Sequence, residues 1–272
     1  MELARSTDVT IRSSDGLELP GTMCIPDAPR GAVVLVHGGA GMDRHEGGMF
    51  DRFSAALAEA GIASTRFDHR LFLGTKDESL ELSLAGIESD IRAAIRHTRA
   101  CISPQRLQLC GSSFGGGATA LVASELGEQL HSLVLVNPLL DYRARLLEEK
   151  SFWKNGTLTT EAARLLRQQG WLPHVDDIRM GRCLINEAAG FDARLLVSRV
   201  LTPTLIAHGT ADQRIPHAAS QELAALLPRG ELWSVEGADH GIVEKDDANS
   251  THRRTLEWQR LLFAKAIALF GR

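Results

Sequence analysis

Hydrophobic positions along the chain follow two alternating patterns. Short apolar runs of strand length are separated by longer stretches with apolar residues every three or four positions. Asp8 to Ser13 and Leu17 to Ile25 read as strands joined by a turn at Ser14-Asp15-Gly16, an antiparallel hairpin at a sheet edge. Gly31 to His37 is a run of the buried kind. Phe50 to Ala60 reads as a helix closed by Gly61, and Ala63 to Phe67 as the next strand. Ser83 to Ala100 places Leu84, Ile87, Ile91 and Ile95 on one helical face. Strands follow at Leu107 to Cys110, at Ser132 to Val136 (stopped by Asn137-Pro138), from Leu205 and from Leu232. Helices are predicted after Gly117, over His217 to Leu227 and over Thr251 to Phe270. The last should turn Leu256, Leu261, Leu262, Ala264, Ile267 and Phe270 inward. This order predicts an α/β fold: a mostly parallel eight-stranded sheet flanked by helices. Residues 140–201 break the alternation. They are helical in composition with no clear strand, and they read as a cap inserted after the sixth strand into a core of 1–139 and 202–272.

One stretch organises the rest. Gly111-Ser112-Ser113-Phe114-Gly115 lies between an apolar strand and a helix, the setting of a nucleophile elbow. The turn is sharp, so small residues must flank Ser113, whose hydroxyl is left exposed at the carboxyl end of the sheet. A serine needs a base to take its proton, and the base needs an acid to orient it. Two later strands run into turns that carry such groups, Asp212 in His208-Gly209-Thr210-Ala211-Asp212 and His240 in Gly237-Ala238-Asp239-His240-Gly241. Ser113, Asp212 and His240 are the candidate catalytic residues. Asp141, just past the sixth strand, is a competing acid, and Asp239 adjoins His240 on a diverging side of its turn.

The order Ser, Asp, His on strand ends resembles the α/β-hydrolase superfamily over nearly the whole chain. Val33-Val34-Leu35-Val36-His37-Gly38-Gly39-Ala40-Gly41, with Ala56 to Arg70, resembles the feruloyl/cinnamoyl-esterase and related serine acyl-hydrolase branch, in which a strand enters an H-G-x-x-G oxyanion loop. The resemblance implies an oxyanion hole from the amides of Phe114 and Gly39, with Ala40 the near alternative and a candidate substrate contact. Two departures stand out. That branch usually reads R-G-H-G-x-S where this chain has Arg70-Leu71-Phe72-Leu73-Gly74-Thr75, and Ser112 replaces the histidine that commonly precedes the nucleophile.

Composition narrows the reading further. At 272 residues the chain suits one α/β domain with an insertion and can bury a large core. A net charge of −4 argues against nucleic acid or an anionic membrane as partner. Cys24, Cys101, Cys110 and Cys183 show no C-x-x-C and no metal-ligand spacing, and so read as reduced thiols. With no signal-peptide hydrophobic region over Met1 to Thr10, the expected location is cytoplasmic. A G-K-[ST] and a helix-opening G-x-G-x-x-G are both missing, which excludes the usual phosphate loops. No cofactor or metal is required by the chemistry.

The chain has only nine Phe, four Trp and one Tyr, yet the insertion holds Tyr142, Phe152, Trp153, Trp171 and Phe191. They either pack the cap onto the sheet or line an acyl pocket. Trp153 and Trp171, with Phe72 facing them from the core, are the candidate substrate-binding residues. Arg179, Arg182 and Arg194 are candidates to hold a substrate carboxylate. The expected function is a serine hydrolase that cleaves an ester or thioester of a small, largely apolar acyl or aryl acid through an acyl-enzyme. Its partner is a small-molecule substrate, and a homodimer is compatible. A peptidase, a cyclase or lyase, and a ligand-binding receptor are the alternatives on the same fold.

Overall fold

The computed structural model describes residues 5–39, 41–75, 80–174, 178–247 and 249–272. The amino-terminal hairpin forms from β1 (Arg5–Arg12) and β2 (Glu18–Ile25), paired antiparallel in full register. The chain then alternates: β3 (Ala32–Val36), α1 (Met49–Glu59), β4 (Ala63–Phe67), a one-turn α2 (Arg70–Leu73), α3 (Leu84–Ile102), β5 (Leu107–Ser112), α4 (Ser113–Leu126) and β6 (Ser132–Val136). Within 140–201 come a π turn at Ala144–Glu148, β7 (Trp153–Lys154), β8 (Thr157–Leu158), α5 (Thr160–Gln169), β9 (Trp171–Pro173), β10 (Arg179–Gly181), α6 (Arg182–Ala189) and α7 (Ala193–Arg199). β11 (Thr204–Gly209), α8 (His217–Ala224), β12 (Gly230–Val235) and α9 (Arg253–Phe270) complete the chain.

The main sheet has eight strands in the order β1-β2-β4-β3-β5-β6-β11-β12. β2 runs antiparallel to β1 and β4, and the other pairings are parallel. Strands β3, β4, β5, β6 and β11 are buried at every position, as a sheet covered on both faces requires. Successive side chains divide between the two layers. Val34, Val36, Leu133, Leu135 and Ile206 join the core under α3, α4 and the insertion, whereas Val33, Leu35, Val134, Val136, Leu205 and Ala207 join the core under α1 and α9.

The insertion, expected to be largely helical with no clear strand, is helical only in part. It carries two short antiparallel ribbons, β7–β8 and β9–β10, that stay apart from the main sheet. Strands of two or three residues are too short to show a period of two, so the pattern could not reveal them. Tyr142 and Phe191 meet edge to face at 5.2 Å, and fully buried Tyr142 donates to the Phe114 carbonyl at 2.5 Å. Glu187 on α6 accepts the Leu84 and Ala85 amides at the start of α3, where an anion is favoured.

One expected face is corrected. Leu262 and Phe270 are buried as expected and Leu256 and Ile267 are half-buried, but Leu261 is 54% exposed and Ala264 also faces solvent; Thr255, Gln259, Phe263 and Ala266 fill the rest of the buried face. Polar Thr255 and Gln259 complete the inward stripe: the Thr255 hydroxyl accepts the Glu244 amide, and Gln259 accepts from Arg52. A count of apolar residues alone misses that polar part of the stripe. Among the described residues no helix is long and apolar enough to cross a membrane.

Candidate active site

Ser113 sits where β5 ends and α4 begins, with φ at +48°. A left-handed non-glycine residue costs about 1–3 kcal/mol and persists only where its surroundings enforce it. The surroundings do so through close backbone approaches. A Cβ on Gly115 would lie 2.0 Å from the His37 carbonyl oxygen, and one on Gly111 would lie 2.4 Å from the Thr119 hydroxyl. Only glycines let the start of α4 press against the end of β3. The Ser113 carbonyl accepts the Leu139 amide at 2.8 Å, which closes the turn from the other side.

His240 arrives on the loop after β12. Its Nε2 lies 2.9 Å from Ser113 Oγ, and its Nδ1 lies 2.8 Å from Asp212 Oδ2. Asp212, on the loop after β11, is surrounded by donors. Oδ2 also accepts from Asn137 Nδ2 at 2.6 Å and faces His208 Nε2 at 3.1 Å, while Oδ1 accepts the Arg214 and Ile215 amides at 2.8 and 2.9 Å. Burial alone would raise this carboxyl, but the hydrogen bonds from His208 and His240 and the His240 charge outweigh it and hold it far below the usual carboxylate range. The acid is therefore ionised with its lone pairs committed, and it holds the imidazole with Nδ1 toward Asp212 and Nε2 toward the serine. Asp141 serves a different place: Oδ1 accepts the Ala144 amide at 2.9 Å and caps the π turn. Asp239 accepts the amides of His240 and Gln213.

The loop after β3 is pinned along its length. His37 and His69 are fully buried and stacked, with centroids 3.7 Å apart and planes 4° apart. His69 donates its amide to His37 Nε2 at 3.2 Å and Nε2–H to the His37 carbonyl at 3.0 Å. Burial, followed for His37 by the neighbouring His69, lowers both pKa values, so both rings are neutral. Glu46 Oε2 accepts the Gly38 amide at 2.8 Å, and Arg44 is tied to Asp68 through its backbone and guanidinium at 2.7 and 2.6 Å. His45 pairs with Asp51 at 2.9 Å, away from Ser113.

Two cavities open on Ser113, Gly39, Arg214 and His240. One, of about 280 Å³, is further lined by Phe114, Leu139, Arg145, His174, Ile178, Gln213 and Ile215. The other, of about 300 Å³, is lined by Gly41, Met42, Glu46, Gly47, Gly241, Val243, Asp247 and Ser250. Larger clefts of about 620 and 510 Å³ lie at the opposite edge, around Gly31 and Arg106 and around Thr204 and Gly230. Those are the amino ends of the strands. In such sheets ligands bind at the carboxyl ends, and Ser113, Asp212 and His240 all stand there.

Residues 33–249, which span β3 through the His240 loop, match the family described as Alpha/beta hydrolase family. The chain belongs to that family. Est1E from Butyrivibrio proteoclasticus has a similar structure, with a TM-score of 0.76 at 17% identity, covering 97% of this chain and 99% of that one. With ferulic acid bound, the same esterase gives a TM-score of 0.72. At that identity the likeness concerns the fold. In sequence, the uncharacterized protein YfhR of Salmonella typhimurium is 27% identical over 260 residues, 87% of this chain and 75% of that protein. A non-heme chloroperoxidase of Streptomyces lividans is 39% identical over 71 residues, 26% of this chain and only 24% of that protein.

Within this α/β hydrolase, several sequence candidates lie apart from the two cavities. In the one-turn helix α2, Leu71 is fully buried and Phe72 meets His37 edge-on at 6.1 Å, so Phe72 backs the loop after β3 and lies outside both linings. Half-buried Trp153 packs on the main core from the β7–β8 ribbon. Trp171 is covered by Arg179, 5.2 Å from its ring centre, within the β9–β10 ribbon. The pairing demands of the small ribbons thus take both tryptophans away from Ser113. Arg182 is exposed and Arg194 pairs with Glu222 on the surface. The insertion reaches the cavity instead through Arg145, on a π turn, and through His174 and Ile178. Ala40 lies outside the described residues. Asn137, His208, Glu46 and the Gln213-Arg214-Ile215 wall were not anticipated. Only the last had a signal, its adjacency to Asp212.

Proposed function

We propose that this family member is a serine esterase or thioesterase acting on a small acyl group through an acyl-enzyme. The observation that carries the reading is the unbroken relay from Ser113 Oγ through His240 to Asp212, on a strained elbow between two cavities. Ser113 attacks the acyl carbonyl as His240 Nε2 takes its proton. The tetrahedral oxyanion is held by the Phe114 and Gly39 amides, preorganised donors of the kind worth about 10²–10³ in turnover each. His240 returns the proton to the leaving group, which departs. Water then adds to the acyl carbonyl, with His240 again as base, and Ser113 is released.

The apolar part of the smaller cavity, Phe114, Leu139, Ile178 and Ile215, supports a small hydrophobic acyl or aryl group, and Arg145, His174, Gln213 and Arg214 supply a polar rim. The test is a fluorophosphonate label and p-nitrophenyl acetate turnover with the full chain. Both should be present in the wild type and lost in Ser113→Ala at unchanged melting temperature. Full labelling of that variant would sink the assignment. A panel of short, long and aryl esters and thioesters then defines the acyl group.

A further inference from the structure

Glu46 belongs neither to the relay nor to the pair of oxyanion amides. Its carboxylate nevertheless joins the two segments that carry those amides. Oε2 accepts the Gly38 amide at 2.8 Å, one residue before Gly39, and Oε1 accepts the Ser112 hydroxyl at 2.7 Å, two residues before Phe114. The residue is 8% exposed, with φ at +48° in the left-handed region, so the backbone is held in a costly conformation to aim the side chain inward. It lines the larger of the two Ser113 cavities, with His240 across from it. Ser112 stands where related enzymes commonly carry histidine, and its hydroxyl is spent on this carboxylate. The bridge is short: a Cβ on Gly38 would lie 3.0 Å from Ser113 Cβ and 3.2 Å from Glu46 Oε1.

Resting on the esterase reading above, we propose that Glu46 is a positioning residue for acyl transfer. Its carboxylate clamps the oxyanion loop to the elbow and sets the gap between the Gly39 and Phe114 amides. As an anion near His240 it also favours the imidazolium that forms when Ser113 gives up its proton. Protonation would remove the charge and turn the Ser112 hydroxyl from donor to acceptor, so the electrostatic part of the role needs the ionised form. The charged and titratable groups around it are Asp43 on its own loop, Cys110 on β5, His240, and across the cavity Asp247 and Arg214. Burial raises its pKa and Asp43 adds to that, while the Gly38 and Ser112 hydrogen bonds and His240 oppose it.

The experiment compares wild type, Glu46→Gln and Ser112→Ala, all as full chains, by kcat, KM and the pH profile of p-nitrophenyl acetate hydrolysis, with melting temperatures. Glutamine keeps the shape without the charge: its oxygen can keep the Gly38 amide, but its NH₂ then faces the Ser112 hydroxyl, which must turn from donor to acceptor and loosens the hold on the Gly39 and Phe114 amides. A displaced donor of this kind costs up to about 10²-fold. Glu46→Gln should lower kcat by about 10–100-fold with KM within about twofold. Loss of the anion should move the acidic limb of kcat/KM to lower pH, because His240 then protonates less readily. Ser112→Ala removes one tie and keeps the charge, so kcat should fall severalfold with the limb in place; it also serves if Glu46→Gln does not fold. A kcat within twofold of wild type in the folded variants overturns the proposal. So does a loss that tracks the folded fraction with the limb unmoved. A wild type without turnover instead overturns the esterase reading, and the proposal with it.

Discussion

Replacing Asp212 by asparagine tests the relay most sharply, because the structure says which way the amide must point. Oδ1 faces two backbone amides, of Arg214 and Ile215, and Oδ2 faces His240, Asn137 and His208. The new NH₂ must therefore meet donors on either side. Backbone amides cannot reverse, and an unmet buried donor costs about 1–3 kcal/mol. The imidazole of His240 can reverse by moving its proton. The NH₂ thus settles at the Oδ2 position, donates to His240 Nδ1 and leaves the proton on Nε2. That nitrogen, 2.9 Å from Ser113 Oγ, is then no longer a base. Losing the orienting acid in this way lowers turnover by up to about 10⁴ in a serine protease triad, equivalent to about 5.4 kcal/mol at 1.36 kcal/mol per tenfold. Asn137 Nδ2 also loses its acceptor, whereas His208 Nε2 keeps the Ile215 carbonyl at 3.1 Å, so the melting temperature should fall as well. The assay is kcat/KM on p-nitrophenyl acetate together with the rate of fluorophosphonate labelling and a melting curve. The parallel variant Asp141→Asn should retain nearly full activity, since that carboxylate caps a π turn. A folded Asp212→Asn enzyme within tenfold of wild type, or a severe loss in Asp141→Asn alone, would refute the reasoning.

Gly115→Ala should lower the melting temperature and kcat together, since its Cβ would lie 2.0 Å from the His37 carbonyl; overpacking of about 1–3 kcal/mol predicts a drop of several degrees, and an unchanged melting curve would contradict the packing. Ile178→Ala or Ile215→Ala should reorder the preferred esters by about 1–3 kcal/mol in relative kcat/KM, whereas Trp153→Ala should keep the rank order and reduce stability. Acid should destabilise the fold through His37 and His69: their folded pKa values lie below the ordinary 6.5, so the unfolded chain takes protons first. That stability is complete above pH 6.5 and is lost as pH falls from there through the lowered values, at about 1.4 kcal/mol per unit of depression; a chemical-denaturation midpoint flat from pH 7 to 5 would contradict it.

The legible parts of the fold were those in which burial is written along the backbone. β3 and β6 read as apolar runs of the buried kind, and the expected bounds of β4 and β6 coincide with the observed ones, although β4 buries Ser64, Thr65 and Arg66. The α3 boundary was also legible, because Ser83 accepts the Gly86 amide as an N-cap. The inner face of α9 was less so: a helix that buries a threonine and a glutamine beside its apolar residues hides its orientation from any hydropathy count. The ribbons of the insertion were illegible for a related reason. Two or three residues cannot display a period, and their pairing depends on partners brought in by the chain on either side.

The relay residues were legible because each follows a strand and because a serine elbow demands glycine at fixed offsets. The residues that make the relay selective are a different matter. Asn137 and the Glu46–Ser112 tie act across gaps of 75 and 66 residues in sequence, and nothing local in them differs from an ordinary strand end or loop. The aromatic residues of the insertion misled for the same reason. Their size announced a pocket, but the first demand on a large ring is burial, and Tyr142, Trp153 and Phe191 meet it by fastening the insertion to the core. The wall over Ser113 is left to Arg145, His174 and Ile178, which the ribbons and the π turn hold out toward the cavity. On the esterase reading proposed above, substrate choice follows from where the packing of the insertion leaves its smaller side chains. Substitutions in that packing should alter specificity indirectly, by moving Arg145 and Ile178, and those at the wall should alter it directly.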